Sequence, residues 1–323
     1  MMGKEGHLKS QIMGSLWGAI AGDALGVPVE FRSRAELCAS PVTTMTGHGM
    51  HQQPMGTWSD DGSLLLCTLE SLQECEAVDT LDMAERYHRW LVEGHWTAHG
   101  TVFDIGIATR QALARFSEGK RPEHCGGRQE YDNGNGSLMR MLPVSLWLRD
   151  AEVEEALEAT HRVSRITHAH PRTLMVCGFY TLIVRALLEG AKPREALTDA
   201  WNRARQYYTG HEDFAGQWDH LQRLDPAVLP TLTEDQIRST GYSIHTLEAS
   251  IWCLLQEGIC PEIILRAVNL GEDTDTTACV TGGLAGLCFG VEEVPATWIE
   301  VLARKDDLGP VFQGFASRLL SRE

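Results

Sequence analysis

Basic residues are scarce: 28 Lys and Arg stand against 44 Asp and Glu, for a net charge of −16. That balance argues against nucleic acid as the main partner, because holding a phosphate backbone requires a basic surface. Alternating strand patterns are scarce too, and the chain contains no internal repeat and no low-complexity linker. No run approaches the ~20 apolar residues of a membrane span, and the opening MMGKEGHLKS lacks the apolar stretch of a signal peptide. The nine cysteines include no CxxC pair and read as reduced thiols of a soluble, cytoplasmic protein. His95 and His99 stand four apart, but HWTAH lacks the glutamate of HExxH, which argues against zinc. What is present is 323 residues, 43% of them hydrophobic, enough for a large core.

The apolar residues recur with helical period. Leu65, Leu69 and Leu72 fall on one face, as do Ile244, Leu247, Ile251 and Leu254. Further helices are expected over about 8–24, 81–93, 104–116, 137–149, 152–165, 172–189, 193–206, 260–268, 275–289 and 311–321. The reading is all-α, with no boundary that divides residues 1–323 into more than one domain. Two of the helices are rich in small residues, GAIAGDALG from Gly18 and TGGLAGLCFG from Thr281. Glycine inside a helix costs about 1 kcal/mol against alanine, so these stretches point to close helix packing. The segment from Tyr207 to Gly241 is polar, contains Gly and Pro, and reads as a long loop with short turns.

Carboxylates cluster where helices begin. Asp60 and Asp61 precede one apolar helix in GTWSDDG, and Asp273 and Asp275 precede another in GEDTDTTA. Thr276 adds a hydroxyl to the second group, and Glu30 follows the first small-residue helix. Helix capping explains Asp60 and Asp273 but not their companions. Five carboxylates brought together need neutralising charge, which two divalent cations supply. Oxygen ligands favour Mg²⁺ or Mn²⁺ over Zn²⁺. The turn NGNGS, Asn133 to Ser137, is expected to open a helix, and on its own reads as a plain turn. Asp23, between small residues, reads as a structural acid of helix packing.

Six motifs in order, GDALGVPVEF, WSDDG, DNGNGSLMR, THAHP, GYSIHTLEASIW and GEDTDTTACVTGGLAG, resemble the ADP-ribosylglycohydrolase family. The likeness is to its arginine-type branch, the bacterial dinitrogenase reductase-activating glycohydrolases, and covers about residues 10–290. It implies a compact orthogonal helical bundle that binds two Mg²⁺ or Mn²⁺ ions and removes ADP-ribose from modified side chains. It implies metal ligands at Glu30, Ser59, Asp60, Asp61, Asp273, Asp275 and Thr276. Ser59 stands where the family often has Thr, and Gly62 where Thr is common. The segment FDIG matches one whose aspartate serves proton transfer, here Asp104, with Glu30 and Asp60 beside it in the catalytic group. Asn133, Gly134, Asn135, Gly136 and Ser137, whose glycines free backbone N–H groups to cradle a diphosphate, are expected at the substrate with His168, His170 and Tyr242, the last near the adenine.

The expected partner is thus a protein carrying ADP-ribosyl-arginine. Serine-linked or O-acyl ADP-ribose remains an alternative substrate for the same site. A binding protein that neutralises an ADP-ribosyltransferase is the alternative of another class.

Overall fold

The computed structural model describes residues 3–322, and among these there is no β-strand. The α-helices run, in order, α1 (Lys4–Gly26), α2 (Arg34–Ala39), α3 (Asp60–Cys75), α4 (Thr80–Glu93) and α5 (Ile107–Ser117). Then come α6 (Leu142–Trp147), α7 (Val153–Arg165), α8 (Pro171–Leu188), α9 (Pro193–Thr209) and α10 (Glu212–Ala215). The chain ends with α11 (Ser243–Leu255), α12 (Cys260–Asn269), α13 (Thr274–Phe289), α14 (Ala296–Val301) and α15 (Lys305–Leu320). One hydrophobic cluster of buried side chains reaches from Ile12 to Leu319, and all nine cysteines are free.

The small residues make α1 and α13 the closest pair. A Cβ on Gly18 would stand 2.3 Å from the carbonyl oxygen of Gly282, and one on Gly22 would stand 2.1 Å from that of Ala278. Only glycine allows such backbone contact. The two helices run antiparallel, so the C-terminal end of α1 meets the N-terminal end of α13. Thr274 Oγ1 donates to Gly26 O there at 2.8 Å. This packing places Glu30 beside Asp273 and Asp275.

Asp23 fixes the third member. Its carboxylate, fully buried in α1, accepts from Ser59 N at 2.9 Å and from Gly62 N at 2.7 Å. It therefore caps α3 from outside, satisfying two N–H groups that a helix start leaves without partners. The structural role expected for Asp23 is this one. Gly62 belongs to the same contact: a Cβ there would lie 2.9 Å from the Trp58 side chain, so a threonine would not fit this arrangement.

Some expectations need correction. The helix foreseen over 137–149 is only α6, Leu142–Trp147, because Pro143 has no N–H to donate to the preceding turn and is tolerated only in the first turn of a helix. NGNGS accordingly opens a series of turns and not a helix. The segment expected as loop holds the end of α9, the short α10 and several 3₁₀ turns, with Phe214, Trp218, Leu221 and Leu224 buried. Helices α2 and α14, six residues each, are too short to show a period. Glu5–Val29 and Pro171–Leu188 are long and apolar enough to cross a membrane, contrary to the reading of the runs, yet 94% and 83% buried in the bundle. They are core helices.

Candidate active site

The starts of α3 and α13 meet in a cleft of about 370 Å³. Glu30, Asp60, Asp61, Asp104, Asp273 and Thr276 line it, and no lysine or arginine does. One oxygen from each of Glu30, Asp273 and Asp275 lies within 4.8 Å of the others. Thr276 Oγ1 donates to Asp61 Oδ1 at 3.4 Å, which joins the two helix starts directly.

Capping does not account for these acids. The N-cap of α3 is Ser59, whose Oγ accepts from Asp61 N at 3.2 Å. Asp273 sits at the N-cap of α13 but makes no side-chain cap bond. Its Oδ2 accepts from Asn135 Nδ2 at 2.9 Å, while its Oδ1 has no partner. Asp61 Oδ2 is likewise buried without a partner. Asp104 stands two residues ahead of Gly106, the N-cap of α5, so it caps nothing there. Buried carboxylate oxygens left without donors fit a site for divalent cations. Ser59 does not line the cleft; it lines a small neighbouring cavity that shares Asp60 and Asp104 with it.

The remaining expected residues divide. Gly134, Asn135, Gly136 and His168 line the cleft; Asn133, Ser137, His170 and Tyr242 do not. Asn133 and Tyr242 instead belong to the backbone pairing that docks the glycine turn, with Ser243 N donating to Asn133 O and Asn135 N to Gly241 O. Ser137 is interior and accepts from Ser164 Oγ at 2.8 Å. His170 caps α8, accepting from Arg172 N at 3.2 Å. Asn135 gives its amide to Asp273 and so orients a carboxylate as well as facing the cleft.

Two residues of the site had no distinguishing signal in the sequence. Arg140 is fully buried and donates to Gly136 O and to Thr167 Oγ1, tying the glycine turn to THAHP. Thr167 Oγ1, which accepts from Arg140, also shares a hydrogen bond of 2.8 Å with His168 Nδ1. His168 Nε2 stands beside Gly134 and Gly136. Burial, with the charge of Arg140 second, holds its pKa down at about 3, so the ring is neutral. His51 bonds Glu30 through Nε2, and its ligand atom lies within 4.8 Å of those of Glu30 and Asp104. The hydrogen bond to Glu30 raises its pKa.

Crowding shows in the carboxylates. Burial pushes Asp23 and Glu30 up to about 7, and Asp60, Asp61 and Asp275 well above the usual range, with neighbouring carboxylates adding to it. In the folded chain these groups keep protons that the unfolded chain has already lost, so their effect is to lower stability as pH rises. His161 and His168, held near 3 by burial, oppose this only below their unfolded pKa of about 6.5. Metal-free protein is therefore expected to melt at progressively lower temperature from about pH 6.5 to pH 8. Mg²⁺ or Mn²⁺ should flatten the profile. A melting temperature of metal-free protein that stays level over this window would contradict the crowding.

Comparison with known proteins agrees with this geometry. The ADP-ribosylglycohydrolase family model matches residues 5–323. An ADP-ribosylarginine hydrolase of Pseudomonas putida is 32% identical over 90% of this chain and 73% of its own. The ADP-ribosyl-[dinitrogen reductase] glycohydrolase of Rhodospirillum rubrum is 27% identical over 91% and 90%. A solved structure titled "ADP-ribosylglycohydrolase-related protein complex" superposes with a TM-score of 0.80 at 28% identity, covering 97% of this chain and 99% of that one. A helical bundle whose two acidic helix starts converge, matched over nearly its whole length, places the chain in the ADP-ribosylglycohydrolase family.

Proposed function

We propose that the protein hydrolyses the N-glycosidic bond between ADP-ribose and arginine side chains, using two divalent cations in the acidic cleft. One observation carries this reading: the cleft gathers carboxylates and, among its lining residues, no lysine or arginine. ADP-ribose is itself an anion, so such a cleft would repel it unless cations were held there. The named activities of the relatives support the hydrolase.

Glu30, Asp60, Asp61, Asp273, Asp275 and Thr276 would hold the ions, with Ser59 setting the start of α3. Their oxygen donors suit Mg²⁺ or Mn²⁺. Once bound, such ions neutralise the carboxylates, orient ribose hydroxyls and lower the pKa of water. The chain's own groups do the rest. Gly134 and Gly136 let the turn approach the diphosphate, with His168 Nε2 beside them. The surrounding carboxylates stabilise the positive charge that develops on the ribose ring as the bond to nitrogen lengthens. Asp104 accepts from the guanidinium and manages the proton that the departing nitrogen requires. Water supplies the oxygen that replaces nitrogen on the anomeric carbon.

The test is release of ADP-ribose from three substrates in Mg²⁺, followed by mass spectrometry: ADP-ribosyl-arginine, a serine-linked peptide and O-acetyl-ADP-ribose. The arginine conjugate should be cleaved fastest. Faster cleavage of either oxygen-linked substrate would overturn the arginine assignment.

A further inference from the structure

Beside the acidic cleft lies a second cavity of about 760 Å³ with the opposite charge. Arg115, Lys120, His124 and Arg128 line it, against the single carboxylate of Asp132. That carboxylate already accepts from Gln129 N at 2.7 Å. Lys120 and Arg128 are exposed, and among the described residues no ion pair holds either. In a chain of net charge −16 this concentration of positive charge is set against the general field.

The two cavities share a wall. Ile107, Ala108 and Tyr131 line both, and Ile107 and Tyr131 are 78% and 87% exposed. Ala108, Gln111 and Arg115 follow along one face of α5. The opposite side is the segment from Gly126 to Asp132, whose Gly127 O accepts from Ala169 N at 2.9 Å, next to His168 of the cleft. A ligand seated in the cleft therefore meets an apolar ridge and, beyond it, a basic hollow.

Resting on the hydrolase reading, we infer that this hollow receives an acidic segment of the protein substrate, next to its modified arginine. The cleft alone falls within the volume range of small-ligand sites, and the hollow beside it adds a larger space of opposite charge. A protein that carries the modified arginine extends past the cleft on this side, where Ile107, Ala108 and Tyr131 line both cavities. An exposed aromatic and an aliphatic side chain at its crest, flanked by charge, are what a protein surface uses for docking. Opposite charge across such a contact selects partners and speeds encounter, and salt weakens it.

The experiment uses two synthetic peptides, each carrying one ADP-ribosyl-arginine, flanked by glutamates in one and lysines in the other. At low salt the wild-type protein with Mg²⁺ should favour the glutamate peptide by about tenfold or more in kcat/KM. High salt should erase the preference. The double variant Lys120→Glu/Arg128→Glu, altered only at exposed positions, should reverse it while cleaving free ADP-ribosyl-arginine at the wild-type rate. Equal kcat/KM on both peptides in the wild type would overturn the inference. So would slow cleavage of free ADP-ribosyl-arginine by a folded double variant, which would assign the hollow to the nucleotide. Failure of the wild type on free ADP-ribosyl-arginine would overturn the hydrolase reading beneath it, and the inference with it.

Discussion

Asp104→Asn should lower turnover of ADP-ribosyl-arginine by ~10²–10⁴-fold, the usual range for a lost general acid–base, with metal content and ADP-ribose affinity near wild type. The reason lies in where Asp104 stands. It lines the cleft from the loop ahead of α5, where its carboxylate gathers with Glu30 and His51 and not with Asp273 and Asp275. Asparagine keeps the shape and loses the ability to take a proton, so binding and chemistry separate. Calorimetric titration with ADP-ribose, metal analysis and turnover measured on one preparation check this. Metal occupancy falling in step with turnover would make Asp104 a ligand or its support. Wild-type turnover would remove it from the chemistry.

Asp61→Asn should abolish activity and the stabilisation by Mg²⁺ or Mn²⁺, yet raise the melting temperature of the metal-free protein. Asp61 is 2% exposed, and its Oδ2 has no hydrogen-bond partner. Burial and the charges of Asp23, Asp60 and Asp273 oppose its ionisation. Asparagine removes the cost of holding that buried carboxyl protonated, which the unfolded chain does not bear, and it also removes a ligand. A capping acid predicts the opposite sign, a loss of about 1 kcal/mol with metal stabilisation intact. Melting curves with chelator and with each metal distinguish the two.

The acidic helix starts were legible because each is a local doublet, Asp60 with Asp61 and Asp273 with Asp275. Close packing was legible too, since the glycines of α1 and α13 make sense only if backbones touch. Which helices touch was not, because periodicity marks a buried face without naming what covers it. Asp23 shows the difference: its burial could be foreseen, whereas its bonds to Ser59 and Gly62 depend on the approach of α3 to α1. Arg140 gave no warning, since an arginine in a turn usually faces solvent; here four groups from the turn, α4 and α7 with its following residues accept its protons. His51 lies between glycine-rich and polar residues and reaches Glu30 only through tertiary structure. At Pro143 the residue that shortens α6 was visible, and the apolar run around it masked its effect.

The central claim is that cations in the acidic cleft enable removal of ADP-ribose from arginine. Its most direct measurement is ADP-ribose release from ADP-ribosyl-arginine by purified protein, first in excess chelator and then with Mg²⁺ or Mn²⁺ restored. No release in chelator and recovery with either metal is the predicted result. Full release in chelator, from protein shown to contain no divalent metal, would contradict it.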